Sequence, residues 1–228
     1  MRVIHRFWSG PVAMPDKYVL YGQQWRELNP DWMVHDWTPD QLPPLVCQAI
    51  YDDIATPRDG EQLHPISVAT QQADVVGYEL IWRFGGLYVN CDIQPVRPLD
   101  GLLARVGADA YAGFEDENFL VNAAIGGPPK HEFWAKLLWE LPDRYWPRRR
   151  DQMNEVTGPH LLTQVWKEWE GPGFTAVSRE TFNPIHFHQV PLGGDAEGLF
   201  DLASLPEQTI GVHHWGHRLT GRPNQVAS

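Results

Sequence analysis

Two oxygen-bearing side chains, Asn90 and Asp92, stand two residues apart directly after the apolar run Leu87-Tyr88-Val89. On an extended chain such residues point the same way. Together they suit a hard cation, Mn²⁺ or Mg²⁺, which prefers carboxylate, water and phosphate oxygens, and the ribose or phosphate of a nucleotide beside it. They equally suit a strand that ends and turns before Pro95. A second group of donors is His213-His214-Trp215-Gly216-His217. On a strand His213 and Trp215 share one face and His214 takes the other; on a helix His213 and His217 would pair at i, i+4, a zinc arrangement. Gly211 and Gly216 disfavour the helix. Asp74 suits a helix N-cap or first-turn acid, Tyr88 a buried strand aromatic, and Asn122 a buried amide that satisfies backbone groups. His186 and His188 alternate on a possible strand, where Pro184 and Phe187 speak for packing, and Glu115-Asp116-Glu117 reads as a solvated acidic turn.

These residues need elements to hold them. Arg2 to Trp8 reads as a strand broken by Ser9-Gly10-Pro11. Tyr18, Tyr21, Trp25 and Leu28 recur at helical spacing between Pro15 and Asn29-Pro30, and Trp32 to Trp37 alternates as a second strand. Val75, Tyr78, Leu80, Ile81 and Phe84 fit a buried helix closed by Gly85-Gly86 in a left-handed cap. Leu87 to Ile93 follows as a strand buried on both faces, whose C-terminal end is where α/β sheets place their ligands. Ala110 to Phe114 and Phe119 to Ile125 read as two further strands, Lys130 to Leu141 as a helix, and Arg144 to Asp151 as a charge-rich loop. A helix over Leu161 to Trp169 and a strand over Gln208 to Val212 complete the pattern. Without repeats or an obvious linker, the economical reading is one α/β domain over residues 1–228.

Composition narrows the function. The chain has 228 residues, 18 Lys plus Arg against 29 Asp plus Glu, and a formal net charge of −11. A polyanion needs a basic footprint, so non-specific nucleic-acid binding is not expected. An anionic small substrate needs a local remedy such as a metal ion. The uncharged stretch Thr181 to Gly194 is too short and polar to span a bilayer, so no transmembrane segment is expected. The N-terminus alternates instead of carrying a continuous apolar core, which leaves a cytoplasmic location as the default expectation. Cys47 and Cys91, in no CxxC spacing, suggest neither a disulfide framework nor a cysteine zinc site.

Ala73-Asp74, Tyr78 and the run Arg83-Phe84-Gly85-Gly86-Leu87-Tyr88-Val89-Asn90-Cys91-Asp92 together resemble the core of the DXD-motif glycosyltransferases. That group includes the α-1,6-mannosyltransferase-like family and, more distantly, the glucosyltransferase domain of the large clostridial toxins. Ile4 to Gly10, Thr157-Gly158-Pro159 with Leu162-Thr163, and Val212 to Trp215 resemble it in the expected order, so the anchors span nearly the whole chain. The sequence departs from the pattern twice: Asn90 stands at the first DXD aspartate, and Gly77 stands where the family carries an arginine.

The resemblance implies an α/β fold of the GT-A nucleotide-binding type, a single Rossmann-like mixed sheet flanked by helices. It implies a retaining sugar transfer from a UDP- or GDP-sugar to a glycan, protein or other hydroxyl acceptor. Asp92 would hold Mn²⁺ or Mg²⁺ with His213 or His214, Trp8 would stack on the base, and Asp74 and Tyr88 would face the donor. Asn90 would reach a ribose or sugar hydroxyl and Asn122 the sugar or acceptor. Arg218 would neutralise the diphosphate, or stand as a solvated charge. Two competitors remain: a catalytically lapsed sugar- or nucleotide-binding protein, motivated by Asn90 and Gly77, and a zinc-dependent hydrolase centred on the terminal histidines.

Overall fold

A computed structural model describes residues 2–148, 153–191 and 194–216. Its centre is a six-stranded mixed sheet, built around the chain's first apolar alternation. Strand β1 (Val3–Phe7) lies between β2 (Met33–Trp37) and β3 (Gly86–Val89), parallel to both, with Ile4 opposite Leu87 and His5 opposite Tyr88. Strand β3 pairs antiparallel with β6 (Phe119–Gly127), β6 antiparallel with β5 (Ala110–Asp116), and β5 parallel with β7 (Phe174–Val177), giving the order β2-β1-β3-β6-β5-β7.

Because side chains alternate across a strand, the sheet feeds two cores. Tyr88 on β3 and Ile125 on β6 join Val75, Tyr78 and Ile81 of α3 (Pro65–Phe84), Trp134 and Leu138 of α5 (Glu132–Arg148) and Leu162 of α7 (Pro159–Lys167). Helix α2 (Gln48–Ile54) adds Ile50 and Ile54 to this side. Leu87 and Val89 face the opposite layer, with Trp25 of α1 (Asp16–Leu28) and Leu102 and Val106 of α4 (Asp100–Val106). Gly86 links α3 to β3 at φ 97°, and a Cβ there would lie 2.2 Å from the Val3 carbonyl oxygen. Only glycine allows that approach. No helix among the described residues is long and apolar enough to cross a membrane.

The observed elements depart from expectation at four places. The strand expected over Leu87 to Ile93 ends at Val89. Asn90 to Asp92 form a turn, with the Ile93 amide donating to the Asn90 carbonyl at 3.1 Å, and β4 (Ile93–Pro95) pairs instead with β8 (Gly211–His213) in a separate two-stranded ribbon. The mixed sheet is therefore joined by a second, smaller one. The loop expected from Arg144 is helix as far as Arg148: Tyr145 is buried and its hydroxyl donates to Asp53, while Glu140 and Glu168 hold Arg144. Tertiary packing there overrides Pro142 and Pro147, both inside the helix. His186 caps a 3₁₀ turn over Phe187–Gln189 and His188 lies within it, so neither sits on a strand. Helices α2 and α4, the short α6 (Met153–Val156) and strand β7 were not read from the sequence.

Candidate functional site

The turn Asn90 to Asp92 opens onto a cavity of about 640 Å³ at the ends of β1, β3 and β6. Trp8, Asp74, Tyr88, Asn90, Asp92, Asn122 and His213, taken from different parts of the sequence, all line it. Arg218 lies outside the described residues. No lysine or arginine among the described residues lines the cavity, whereas Asp74, Asp92, Glu115 and Asp116 do. An anion entering it needs a cation from elsewhere.

Asp92 is fixed from the C-terminal segment. Its Oδ2 accepts the Gly216 amide at 2.7 Å, and its carbonyl accepts the His214 amide at 3.0 Å. Trp215 adopts φ 55°, a left-handed conformation that costs energy for a bulky residue, and its indole donates to the Ile185 carbonyl at 2.9 Å. At Gly216 a Cβ would lie 2.3 Å from the Tyr18 hydroxyl and 3.2 Å from Asp92 Oδ2, so glycine is what lets this amide reach the carboxylate.

His213 Nε2 lies 3.3 Å from Asp92 Oδ2. Its Nδ1 lies 3.3 Å from Asn183 Oδ1, and the Asn183 amide nitrogen donates to the Phe114 carbonyl at 3.1 Å, which leaves Asn183 Oδ1 as an acceptor. His213 Nδ1 is therefore the nitrogen that donates to Asn183, and Nε2 faces a carboxylate oxygen. A proton or a metal cation fits between a carboxylate and an imidazole nitrogen so placed. A histidine whose other nitrogen is tied to an amide oxygen is also how proteins orient a metal ligand. His214 is turned elsewhere, its Nε2 lying 3.2 Å from the Tyr21 hydroxyl and 3.0 Å from Gln94 Oε1, and burial holds it below the ordinary histidine pKa. Among the described residues no group of three or more His, Cys, Asp and Glu gathers as a metal site. The structure thus separates the two histidines.

Asp74 lies in the middle of α3, not at its N-terminus, so the helix-cap reading gives way to a wall of the cavity. Its Oδ1 accepts from the Asn122 amide at 2.7 Å and its Oδ2 from the Thr157 hydroxyl at 2.8 Å. Burial pushes its pKa up to about 7, against the lowering effect of those two hydrogen bonds. Tyr88 is buried on the same side, and a Cβ at Gly77 would lie 3.0 Å from its ring. Trp8 is half-buried, its indole donating to the Val12 carbonyl at 2.8 Å and its ring meeting Tyr18 edge-on. Gly10 folds against that ring, where a Cβ would come within 2.7 Å.

Two members of the site escaped the sequence reading. Thr157 was quoted only as part of a motif. Glu115, expected in a solvated turn, is 7 % exposed and faces the cavity, and burial raises its pKa. An acidic triplet at a hairpin tip gives no local sign of which member turns inward; the β-bulge that does so depends on its partner strand.

Residues 15–108 match the family model described as "Glycosyltransferase sugar-binding region containing DXD motif". The matched stretch carries Asp74, Asn90 and Asp92. Inositol phosphoceramide mannosyltransferase 3 of Schizosaccharomyces pombe is 25 % identical over 170 residues, 74 % of this chain and 45 % of its own length. Mannosyl phosphorylinositol ceramide synthase CSH1 of Saccharomyces cerevisiae is 26 % identical over 171 residues, 74 % of this chain and 43 % of its own. Lactosylceramide 4-alpha-galactosyltransferase of Rattus norvegicus is 26 % identical, covering 68 % of this chain and 43 % of its own. The chain spans less than half the length of these relatives. Among solved structures, the PaToxG glycosyltransferase superposes with TM-score 0.57 at 13 % identity, over 73 % of this chain and 69 % of its own. An active-site mutant of LgtC gives 0.50 at 10 % identity, over 95 % and 88 %. These two likenesses bear on fold, and the chain has the expected GT-A type α/β architecture.

Proposed function

We propose that this chain is a metal-dependent, retaining glycosyltransferase that moves a sugar from a nucleoside diphosphate sugar to a hydroxyl acceptor. The observation that carries the reading is the Asp92–His213 pair, a carboxylate oxygen and an imidazole nitrogen facing each other at 3.3 Å in a cavity with no described lysine or arginine. One carboxylate and one imidazole suit Mn²⁺ or Mg²⁺, because such ions complete their shell with water and substrate phosphate oxygens. Bound there, the ion would neutralise charge gathering on the diphosphate as the glycosidic bond breaks.

The chain's own groups do the rest. Asp92 is pre-positioned by the Gly216 amide and His213 by Asn183, so neither must reorganise on binding. Asp74, held by Asn122 and Thr157, presents an acceptor edge for hydroxyls of the donor sugar. Trp8 offers an aromatic face for the base, and Asn90 reaches the ribose or a sugar hydroxyl. The sugar passes through an oxocarbenium-like state; an acceptor hydroxyl attacking from the leaving-group face passes its proton to the departing phosphate oxygen, so no protein nucleophile is needed. The names of the relatives, which join mannose or galactose to ceramide-based acceptors, support a hexose donor. The zinc-hydrolase reading finds less support: His213 ends strand β8 and not a helix, His213 and His214 face different partners, and His217 lies outside the described residues.

Titration calorimetry with UDP and GDP tests this. One of them should bind in Mn²⁺ and more weakly in EDTA, and Asp92→Ala should abolish the Mn²⁺-dependent part while thermal unfolding stays cooperative. Equal affinity with and without the metal in the parent protein, or a Mn²⁺-dependent gain that persists in Asp92→Ala, would refute the assignment. Nucleotide binding without any turnover would instead favour the lapsed transferase, for which Asn90 and Gly77 speak.

A further inference from the structure

The corner of the cavity beyond His213 has no role in the donor site outlined above. Strand β5 pairs Phe114 with Leu120 and Asp116 with Phe119, so Glu115 is the extra residue of a β-bulge. Bulges next to active sites re-aim a side chain. This one turns Glu115 into the cavity, with its side chain nine-tenths buried. His186 Nε2 lies 3.8 Å away, beyond hydrogen-bond length, and no hydrogen bond to the Glu115 carboxylate forms among the described residues. That carboxylate opens on the cavity, where a ligand hydroxyl would supply a donor. Phe187, His188 and Trp215 line the same corner, with ring centroids 3.8 Å apart for Phe187 and His188 and 5.9 Å for Phe187 and Trp215. The Trp215 ring also packs 4.0 Å from His213, which sets this corner beside the Asp92–His213 pair.

Resting on the transferase reading, we propose that Glu115 and the rings of Phe187 and Trp215 form the acceptor subsite, and that the acceptor is itself a sugar, a glycan or glycoside. A pyranose has apolar C–H faces that lie on aromatic rings and equatorial hydroxyls that donate to carboxylates, and this corner offers both kinds of surface. A carboxylate repels a diphosphate, so the corner does not suit the charged end of the donor. Nor does a buried acid suit a purely apolar alcohol, which leaves all but one of the acid's lone pairs unmatched.

The test uses the full chain with UDP or GDP and Mn²⁺, probed by saturation-transfer NMR with methyl glycosides of glucose, galactose and mannose, and with cyclohexanol as an apolar alcohol. At least one methyl glycoside should bind and cyclohexanol should not. Glu115→Gln keeps the shape but removes the charge; it should weaken the glycoside about tenfold, which is about 1.4 kcal/mol, and leave nucleotide affinity within twofold. Phe187→Ala should do the same by removing the ring. In turnover, the acceptor KM should rise while the donor KM holds. If the nucleotides bind the parent protein but no glycoside does, if Glu115→Gln binds glycosides as well as the parent, or if it weakens nucleotides equally, the subsite assignment alone is overturned. If neither nucleotide binds the parent in Mn²⁺, the transferase reading falls and the subsite with it.

Discussion

Replacing Asp74 by asparagine should stabilise the protein at neutral pH while impairing its function. In the folded chain burial holds Asp74 at a pKa of about 7, against an ordinary value of 3.8. Between those values the folded state binds a proton that the unfolded state has released, so stability falls as pH rises through the interval and levels off above it. At about 1.36 kcal/mol per pH unit the full loss is about 4 kcal/mol. Asparagine carries no such cost. It does lose something: Asp74 accepts from both Asn122 and Thr157, and an amide offers one oxygen, so about 1 kcal/mol of hydrogen bonding is forfeited. The net gain at pH 8 is about 2–3 kcal/mol, which in a chain of 228 residues raises Tm by about 4–12 °C. Below pH 4 the gain disappears, and the variant should be the less stable protein. Thermal unfolding followed by circular dichroism from pH 4 to 8.5 reads this directly. A difference in Tm that does not change with pH, or a variant less stable at pH 8, would refute the claim that burial governs this carboxylate.

Trp8→Ala should weaken nucleoside diphosphate binding by about 1–3 kcal/mol; calorimetry showing unchanged affinity with lowered Tm would mark Trp8 as packing alone. Asn90→Asp should tighten Mn²⁺ binding, because a second carboxylate beside Asp92 raises the repulsion that a cation relieves; unchanged Mn²⁺ affinity would remove position 90 from the metal shell. Gly77→Ala should destabilise by about 1–2 kcal/mol, although alanine favours helix by about 1 kcal/mol, since its Cβ would press the buried Tyr88 ring at 3.0 Å. A raised Tm in that variant would mean that Tyr88 moves aside.

Local signals made much of the fold legible. Alternation in Val3 to Phe7, helical spacing in α1 and the paired glycines after Phe84 each concern neighbours in sequence, and each located an element within a few residues. What was missed depends on distant partners. The run Leu87 to Ile93 is uniformly apolar up to Val89, but whether it continues is decided by β8, some 120 residues on, which captures Ile93 to Pro95. Helix α5 passes through Pro142 because Asp53 and Glu168 hold Tyr145 and Arg144 from elsewhere. The site divides the same way. Asp92 and Asp74 stood out through a motif, whereas Glu115 and Asn183 matter only through contacts that the sequence does not encode locally.

The two departures from the family pattern belong together. An arginine at 77 and an aspartate at 90 carry opposite charges, so the absence of both leaves the net charge unchanged. Losing either alone would not: an aspartate at 90 without the arginine would join Asp74, Asp92, Glu115 and Asp116 in a cavity that no described lysine or arginine lines. Asp74 is already held at about 7 by burial, and further negative charge would push it higher. At Gly77 a Cβ would lie 3.0 Å from the buried Tyr88 ring, so a side chain there requires the ring to give way. Without an arginine at 77, a neutral amide at 90 costs less than a carboxylate.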